Sequence, residues 1–409
     1  MTEPSSKMPK DASKYFIPQF ILAHFSHHVS TGVLVPLLPM VRETFNLNYF
    51  QSGVLISSFS LSYGLAQVPM AIFSDRLGRL PIIILGLLGV CFASMAVSLT
   101  QDFWQMVPCF VAMGVFGGTY HAPASSFISQ VLSMEKRGKG LGFHLVGGNA
   151  SFFLTPAMAV GVATLFHSWR TAFFVLALPS LLVSLLLWFN LRRSADEIEK
   201  KSSPSSAAVG ESREKELPGQ PRISWLEMIR SVGFLVILSV SMFVVAAGVN
   251  SYLPLYMVDQ HHLSPNWAGI LPGIVYAGGI AGGPLGGALS DALGRKKVIL
   301  VSIALSGPLF LVVTLAPFGI VLLLFLALYG LVMSMRMPVV ESHIADVIPV
   351  ERRTTVLGVY FLFSQETTAA TTPLIGYLID LYGTNPVFIS LGLWLCLAAT
   401  VGWLFRRHL

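Results

Sequence analysis

Long runs of apolar residues, separated by short polar stretches, dominate the chain. A helix needs about 20 such residues to cross about 30 Å of hydrocarbon. We predict twelve membrane-spanning helices, over 16–40, 51–74, 80–99, 103–131, 138–163, 170–191, 226–258, 266–290, 298–316, 318–346, 354–379 and 385–405. Residues 192–224, rich in charge, serine and proline, separate the sixth run from the seventh and are predicted to form a flexible linker.

Two sequence motifs recur at one fixed offset of 216 residues, which indicates an internal repeat. Residues 74–79 (SDRLGR) match residues 290–295 (SDALGR), and the Glu-Lys-Arg run at 135–142 matches 351–358. Because each copy has an even number of spans, both copies have the same orientation, so the repeat is parallel. The sequence therefore predicts an all-α membrane protein with twelve transmembrane helices in two six-helix bundles, which occupy 1–191 and 225–409.

Composition and charge agree with a membrane location. Apolar residues make up 54% of the chain and charged residues only 11%, against roughly 25% charged in soluble domains. Of the 26 Lys and Arg, 23 lie at the termini or in loops after even-numbered spans, and only Arg42 and Arg170 lie in the other loops. The positive-inside rule then predicts that both termini are cytoplasmic, in a cell membrane of the bacterial inner-membrane type. The net charge of +6 points to anionic lipid headgroups, not to nucleic acid.

The repeated motif resembles the cytoplasmic loop motif of the major facilitator superfamily, roughly G-x-x-x-D-R-x-G-R-R/K. Residues 286–297 (GGALSDALGRKK) meet this pattern more fully than the first copy, where Phe73 and Leu80 depart from it. A carboxylate at such a helix end can bridge to an arginine and to a facing helix, which would lock one conformation. The predicted gate residues are Asp75, Arg76, Gly78, Arg79, Asp291, Gly294 and Arg295.

A narrower resemblance concerns spans four, five and eight. Residues 120–126 (YHAPASS), Phe143 with 146–149 (VGGN), and 282–286 (GGPLG) are similar to the fosmidomycin-resistance-type branch of that superfamily. Members of the branch export drugs or organic anions, which implies an exporter. The chain has His-Ala-Pro where the branch has His-Pro-Glu, and it lacks the span-four arginine of many proton-coupled members. Any coupling must therefore use another titrating group.

Ionisable side chains inside the spans are the candidates for a transport site, because each costs several kcal/mol in hydrocarbon unless it has a cavity or a partner. The resemblance implies that spans one, four, seven and ten line a central cavity. Arg336 in span ten is the strongest candidate, since a permanently charged guanidinium needs an anion or a carboxylate. The predicted substrate-binding residues are Arg336, His121, His24, His28, Asn250, Tyr252 and Tyr256. Packing roles for the histidines, an interfacial role for the tyrosines, and an internal Arg336–Glu341 pair stay open.

The expected mechanism is proton-coupled alternating access that moves a small organic solute, anionic and carboxylate- or phosphonate-like, with export favoured. Histidine suits proton coupling because its unperturbed pKa, about 6.5, is near physiological pH. The predicted proton-coupling residues are Glu341, Glu366, His144 and His343. Import of a small carboxylate by proton symport, efflux of a non-anionic drug, and facilitative uniport stay open.

Two other function classes are disfavoured. An enzyme is not expected, because the G-x-S-x-G, H-E-x-x-H and P-loop spacings are absent and the predicted cytoplasmic loops are short. A scaffold without transport would not need so many ionisable groups inside its spans. No cofactor and no metal site are predicted. The expected partners are a small-molecule substrate, protons and membrane lipid, and the superfamily resemblance implies a monomer.

Overall fold

A computed structural model describes residues 12–132, 134–202, 225–348 and 350–408. Within these ranges the secondary structure is helical, and it ends in a short 3-10 turn over Arg406–His408. The helices are α1 (Ala12–Thr31), α2 (Leu34–Phe45), α3 (Tyr49–Leu77), α4 (Arg79–Leu99), α5 (Phe103–Gly117), α6 (His121–Val131), α7 (Met134–Leu165), α8 (Trp169–Val175), α9 (Leu178–Ser202), α10 (Trp225–His261), α11 (Pro265–Ile270), α12 (Pro272–Leu293), α13 (Arg295–Leu315), α14 (Ile320–Val347), α15 (Val350–Tyr382) and α16 (Thr384–Leu404). Residues 192–202 of the predicted linker continue α9, and its remainder, 203–224, lies outside the described residues.

The outer surface of the helices is suited to lipid. Ten stretches of the described residues are long and apolar enough to cross a membrane. Large apolar side chains are exposed along them, including Trp104 at 77%, Phe189 at 79% and Ile320 at 79%. Soluble monomeric proteins rarely expose so extensive an apolar surface. The protein is therefore an integral, multi-pass membrane protein. Two predicted spans are not among the ten, the divided 103–131 and the helix α15, so the count of twelve stays a prediction.

Several spans that the sequence predicted as continuous helices are interrupted. Span 16–40 divides near Gly32 into α1 and α2, and span 103–131 divides after Gly117 into α5 and α6. Span 266–290 divides before Pro272, which begins α12 because a proline at the first helical position lacks only an N–H that would be unpaired anyway. Hydropathy averages over such breaks and does not reveal them.

The two copies of the repeated motif have the same local geometry. Gly78 lies between α3 and α4 with φ of 95°, and Gly294 lies between α12 and α13 with φ of 93°. Positive φ favours glycine because it has no Cβ. The helices that follow, α4 and α13, each have 21 residues and begin 216 residues apart. We call this end of the bundle the motif end, and the other the opposite end.

The two halves of the chain contact each other toward the opposite end. The Ser57 hydroxyl of α3 donates to the Ala369 carbonyl of α15, at 2.5 Å. The rings of Phe152 in α7 and Tyr276 in α12 stack with centroids 5.4 Å apart. Nearer the motif end, α3 exposes a series of apolar side chains, among them Leu65, Val68, Ile72 and Leu77. The contacts between the halves named here therefore lie toward the opposite end.

Candidate transport site

Five histidines from three helices of the first half form one contiguous group, which we call the histidine cluster: His24, His27, His28, His121 and His144. His24 and His28 share a face of α1 because they are four residues apart. The His24 ring lies 4.9 Å from the His28 ring and 5.0 Å from the His121 ring, between centroids. It stacks on His144 at 4.2 Å. The structure thus brings together four of the predicted site residues and adds His27.

Hydrogen bonds fix the orientation of two of these rings. Nδ1 of His24 lies 2.8 Å from the His144 backbone carbonyl, which can only accept, so this nitrogen carries a proton. The Tyr120 hydroxyl donates to the Phe20 carbonyl at 3.2 Å and lies 3.1 Å from Nε2 of His144. Gly148 permits the close approach of α7 to α1, because a Cβ at this position would clash with the edge of the His24 ring. Because Nδ1 of His24 carries the proton in its bond to the His144 carbonyl, Nε2 is the nitrogen of the neutral ring that has a lone pair.

The cluster is buried on one side only: His24, His27 and His144 are buried, whereas His28 and His121 are half-buried. His27 is buried, stacks on the Tyr120 ring at 4.8 Å, and has no hydrogen-bond partner for either ring nitrogen in the described part of the chain. His28 contacts the Phe152 ring at 4.5 Å, and Phe152 in turn stacks on Tyr276 of the second half. The cluster therefore lies close to the surface between the halves.

Arg336 lies near the middle of α14 and is only 3% exposed. Its Cζ lies 5.1 Å from the centre of the Phe243 ring, a cation–π distance. Among the described residues, Nε and Nη1 have no hydrogen-bond partner and no carboxylate forms an ion pair with the guanidinium. The buried Tyr360 side chain of α15 also interacts with Arg336. The buried Tyr329 hydroxyl interacts electrostatically with Arg336 and also lacks a hydrogen-bond partner in the part of the chain that the structure describes. An internal Arg336–Glu341 pair, one of the alternatives from the sequence, is not present among these residues.

The predicted proton-coupling residues have different surroundings. Glu366 on α15 has a buried Oε1 with no hydrogen-bond partner in the described region, and Glu341 on α14 is half-buried. His343 is buried and already interacts with a neighbour. His144 is engaged with Tyr120. Within this set, Glu366 is thus the residue with a buried polar atom that has no partner in the described region.

The polar residues predicted on α10 make no hydrogen bond or ring contact with Arg336 among the described residues. Asn250 is exposed. The buried Tyr252 hydroxyl donates to the Thr372 carbonyl at 2.8 Å, and the buried Tyr256 hydroxyl donates to the Thr314 carbonyl at 3.0 Å. Both tyrosines thus have hydrogen bonds that connect helices, and their role as substrate ligands stays a prediction.

The predicted gate residues form matching pairs within each half. Arg79 bonds to Asp75 at 3.2 Å and to the Ser126 hydroxyl at 2.8 Å. Arg295 bonds to Asp291 at 2.6 Å and to Asp346 at 3.2 Å. The arginine thus connects the motif to α6 in the first half and to α14 in the second half. Arg76 is exposed. None of these bonds joins one half to the other.

Sequence analysis missed an ionic network at the opposite end. Arg42 makes a two-point contact with Asp259, with Nη1–Oδ2 of 2.7 Å and Nη2–Oδ1 of 2.5 Å, and the Tyr49 hydroxyl donates to the same carboxylate. Asp380 accepts from the backbone N–H groups of Tyr49 and Phe50, at 2.9 Å each, where α3 begins. These contacts join the two halves. Arg42 was visible in the sequence as one of two basic residues in the predicted outer loops.

Comparison with known proteins agrees with this architecture. Residues 20–292 and 257–408 match the model of the Major Facilitator Superfamily. The chain belongs to this superfamily. It is 25% identical over 305 residues to the fosmidomycin resistance protein of Escherichia coli (strain K12), covering 72% of this chain and 70% of that protein. It is 24% identical over 293 residues to the multidrug resistance protein MdtG of Proteus mirabilis (strain HI4320), covering 70% and 69%.

A solved structure supports the same fold. A bacterial homologue of the human lysosomal transporter Spinster, in an inward-facing and occupied conformation, superposes with a TM-score of 0.79 at 17% identity over 98% of both chains. Superfamily membership confirms the family predicted from the loop motif. The protein is therefore a membrane transporter and not an enzyme, as the sequence predicted.

Proposed function

We propose that this superfamily transporter exports a small organic anion, such as a carboxylate or a phosphonate, and that Arg336 binds its charged group. The observation that carries the proposal is the Arg336 guanidinium, 3% exposed within α14, whose Nε and Nη1 have no hydrogen-bond partner among the described residues. An uncompensated charge buried in a membrane protein costs several kcal/mol. A bound anion would remove that cost.

The donors around Arg336 suit a planar or tetrahedral oxyanion. A guanidinium presents a fixed fork of N–H groups that matches carboxylate and phosphate oxygens. The Tyr329 hydroxyl supplies a further donor, which has no partner of its own in the described ranges. The Phe243 ring restrains the guanidinium plane on one side. The site can therefore bind an anion without rearrangement of an existing ion pair.

We assign proton coupling to Glu366 and Glu341. The Oε1 atom of Glu366 is buried and has no donor among the described residues, so this oxygen would carry uncompensated charge in the ionised form. Movement of a proton onto and off such a carboxyl between two conformations supplies the free energy that couples proton and substrate. His144 and His343 already have interaction partners and are second choices.

The predicted topology indicates from which side of the membrane this conformation is closed, and the relatives favour a direction of transport. If the motif end is cytoplasmic, as the positive-inside rule indicates, the contacts between the halves at the opposite end close the protein toward the outside. An anion would then enter from the cytoplasm and leave after the halves rock about the site. The resistance-protein names of the relatives favour export.

The test is flux in proteoliposomes that contain a pH-sensitive dye, with a panel of small carboxylates and phosphonates. A substrate-triggered proton movement is expected, and Arg336→Gln should reduce it about 100-fold, since truncation of one partner of a buried charged contact costs about 2–5 kcal/mol. Arg170→Gln is the matched control, because Arg170 lies at the opposite end, bonded to the Thr100 carbonyl. Undiminished flux of every anion in Arg336→Gln would refute the anion site. Flux that is indifferent to a pH gradient would refute the coupling.

A further inference from the structure

We propose that His24, His28 and His121 form a binding site for one divalent transition-metal ion of the Zn(II) class. One ring nitrogen from each residue lies within 4.8 Å of the other two. His24 and His28 come from one face of α1, and His121 is the first residue of α6. The spacing on α1 alone gave no metal prediction, because the third ligand is supplied only when the helices pack.

The separations are close to those that a metal ion requires. With Zn–N bonds of about 2.0–2.1 Å, the nitrogens of a tetrahedral site are about 3.3–3.4 Å apart. Each pair must therefore approach by at most about 1.5 Å, which small rotations of the imidazole rings can supply. The break between α5 and α6 places His121 at a helix start, where its ring reaches α1.

His24 is already held as a metal ligand would be. Its Nδ1 donates to the His144 backbone carbonyl at 2.8 Å, which leaves Nε2 with a lone pair. Metal-bound histidines generally make this second contact, and it fixes both the tautomer and the ring plane. Because the acceptor is a backbone atom, the contact does not depend on the His144 side chain.

The donor set selects the class of metal. The close ligand atoms found among the described residues are imidazole nitrogens alone, with no carboxylate. Imidazole suits Zn(II), Co(II), Ni(II) and Cu(II), whereas Mg²⁺ and Ca²⁺ prefer oxygen ligands. Three protein ligands leave the fourth position for water or an anionic group. This site lies in the first half of the chain and does not depend on the anion site at Arg336.

Zn(II) binding should be measured by equilibrium dialysis on the full-length protein in detergent, prepared without a polyhistidine tag. We expect one ion per chain. Co(II) in its place should give the intense visible absorption of a tetrahedral site. His28→Ala and His121→Ala should each weaken Zn(II) binding by more than about 100-fold. Loss of a group that only supports a metal ligand already lowers metal affinity about 10–100-fold, and loss of the ligand itself should cost more.

Two controls make the result specific. His144→Ala removes a neighbouring imidazole but keeps the carbonyl that holds His24, so its Zn(II) affinity should stay within about tenfold of the parent. Arg336→Gln should bind Zn(II) like the parent, which separates failure of this proposal from failure of the anion site. Thermal unfolding of each variant without metal establishes whether that variant is folded. If His121→Ala does not fold, the loss of Zn(II) binding is tested with His28→Ala alone. Absence of Zn(II) binding, equal affinity in His28→Ala, or an octahedral Co(II) spectrum would each overturn the proposal.

Discussion

The hydroxyl of Tyr252 connects three helices through one buried oxygen. It donates to the Thr372 carbonyl of α15 and lies 3.1 Å from the Tyr49 carbonyl at the start of α3. Tyr252→Phe should therefore lower the free energy of unfolding by about 1–3 kcal/mol, because a buried carbonyl loses its donor. The measurement is the thermal unfolding midpoint in detergent, with the exposed Tyr382→Phe as control. An unchanged midpoint together with a raised KM for transport would show instead that Tyr252 binds substrate.

At the residue scale, the sequence revealed which groups are chemically unusual but not which of them meet. A single arginine inside an apolar run was sufficient to single out Arg336 as a candidate that needs an anion or a carboxylate, and its role in binding substrate stays a prediction. Tyr329 could not be singled out, because a tyrosine in such a run is typical of packing. The spacing of His24 and His28 predicted a shared face, whereas the approach of His121 depends on a helix break that hydropathy does not report.

Helices α12 and α14 of the second half pack closely through glycines. A Cβ on Gly330 would clash with the Val275 carbonyl, while a Cβ on Gly287 would have no heavy atom within 4 Å. Gly330→Ala should thus lower the free energy of unfolding by about 1–3 kcal/mol through overpacking. Gly287→Ala should raise it by about 0.5–1 kcal/mol, since alanine loses less backbone entropy in a helix. Thermal unfolding of both variants checks this, and a stabilised Gly330→Ala would show that the two helices are not in close contact.

At the element scale, the apolar runs located the helices well because each run is longer than a bilayer is thick. The predicted 80–99 and 298–316 closely match α4 and α13. The positions of the breaks near Gly32 and after Gly117 were not predicted, because a membrane span is recognised by average apolarity, and backbone continuity has little effect on that average. These breaks matter for function, since one of them places His121 beside α1.

For the whole molecule, the network at the opposite end is the best candidate for the contact that must break when the halves rock. Arg42 and Asp259 form a two-point charged contact across the halves, with both side chains less than a third exposed. Hydrogen bonds to charged groups contribute about 1.5–3 kcal/mol. Asp259→Asn should therefore shift the population toward the conformation open at the opposite end by about tenfold or more. Distances between spin labels placed on α2 and α11 would measure the shift, with the exposed Glu43→Gln as control.

The exchanged pair Arg42→Asp with Asp259→Arg separates this role from a general loss of stability. If the charged contact itself holds the halves together, each single reversal should open the opposite end, and the double variant should restore part of the closed population. We expect the restoration to be incomplete. In the parent the Tyr49 hydroxyl donates to Asp259, whereas in the double variant it would lie beside an arginine, which cannot accept that hydrogen bond. Equal spin-label distances in the parent and both single variants would show that apolar packing, such as that of Phe152 on Tyr276, holds this end closed without the charges.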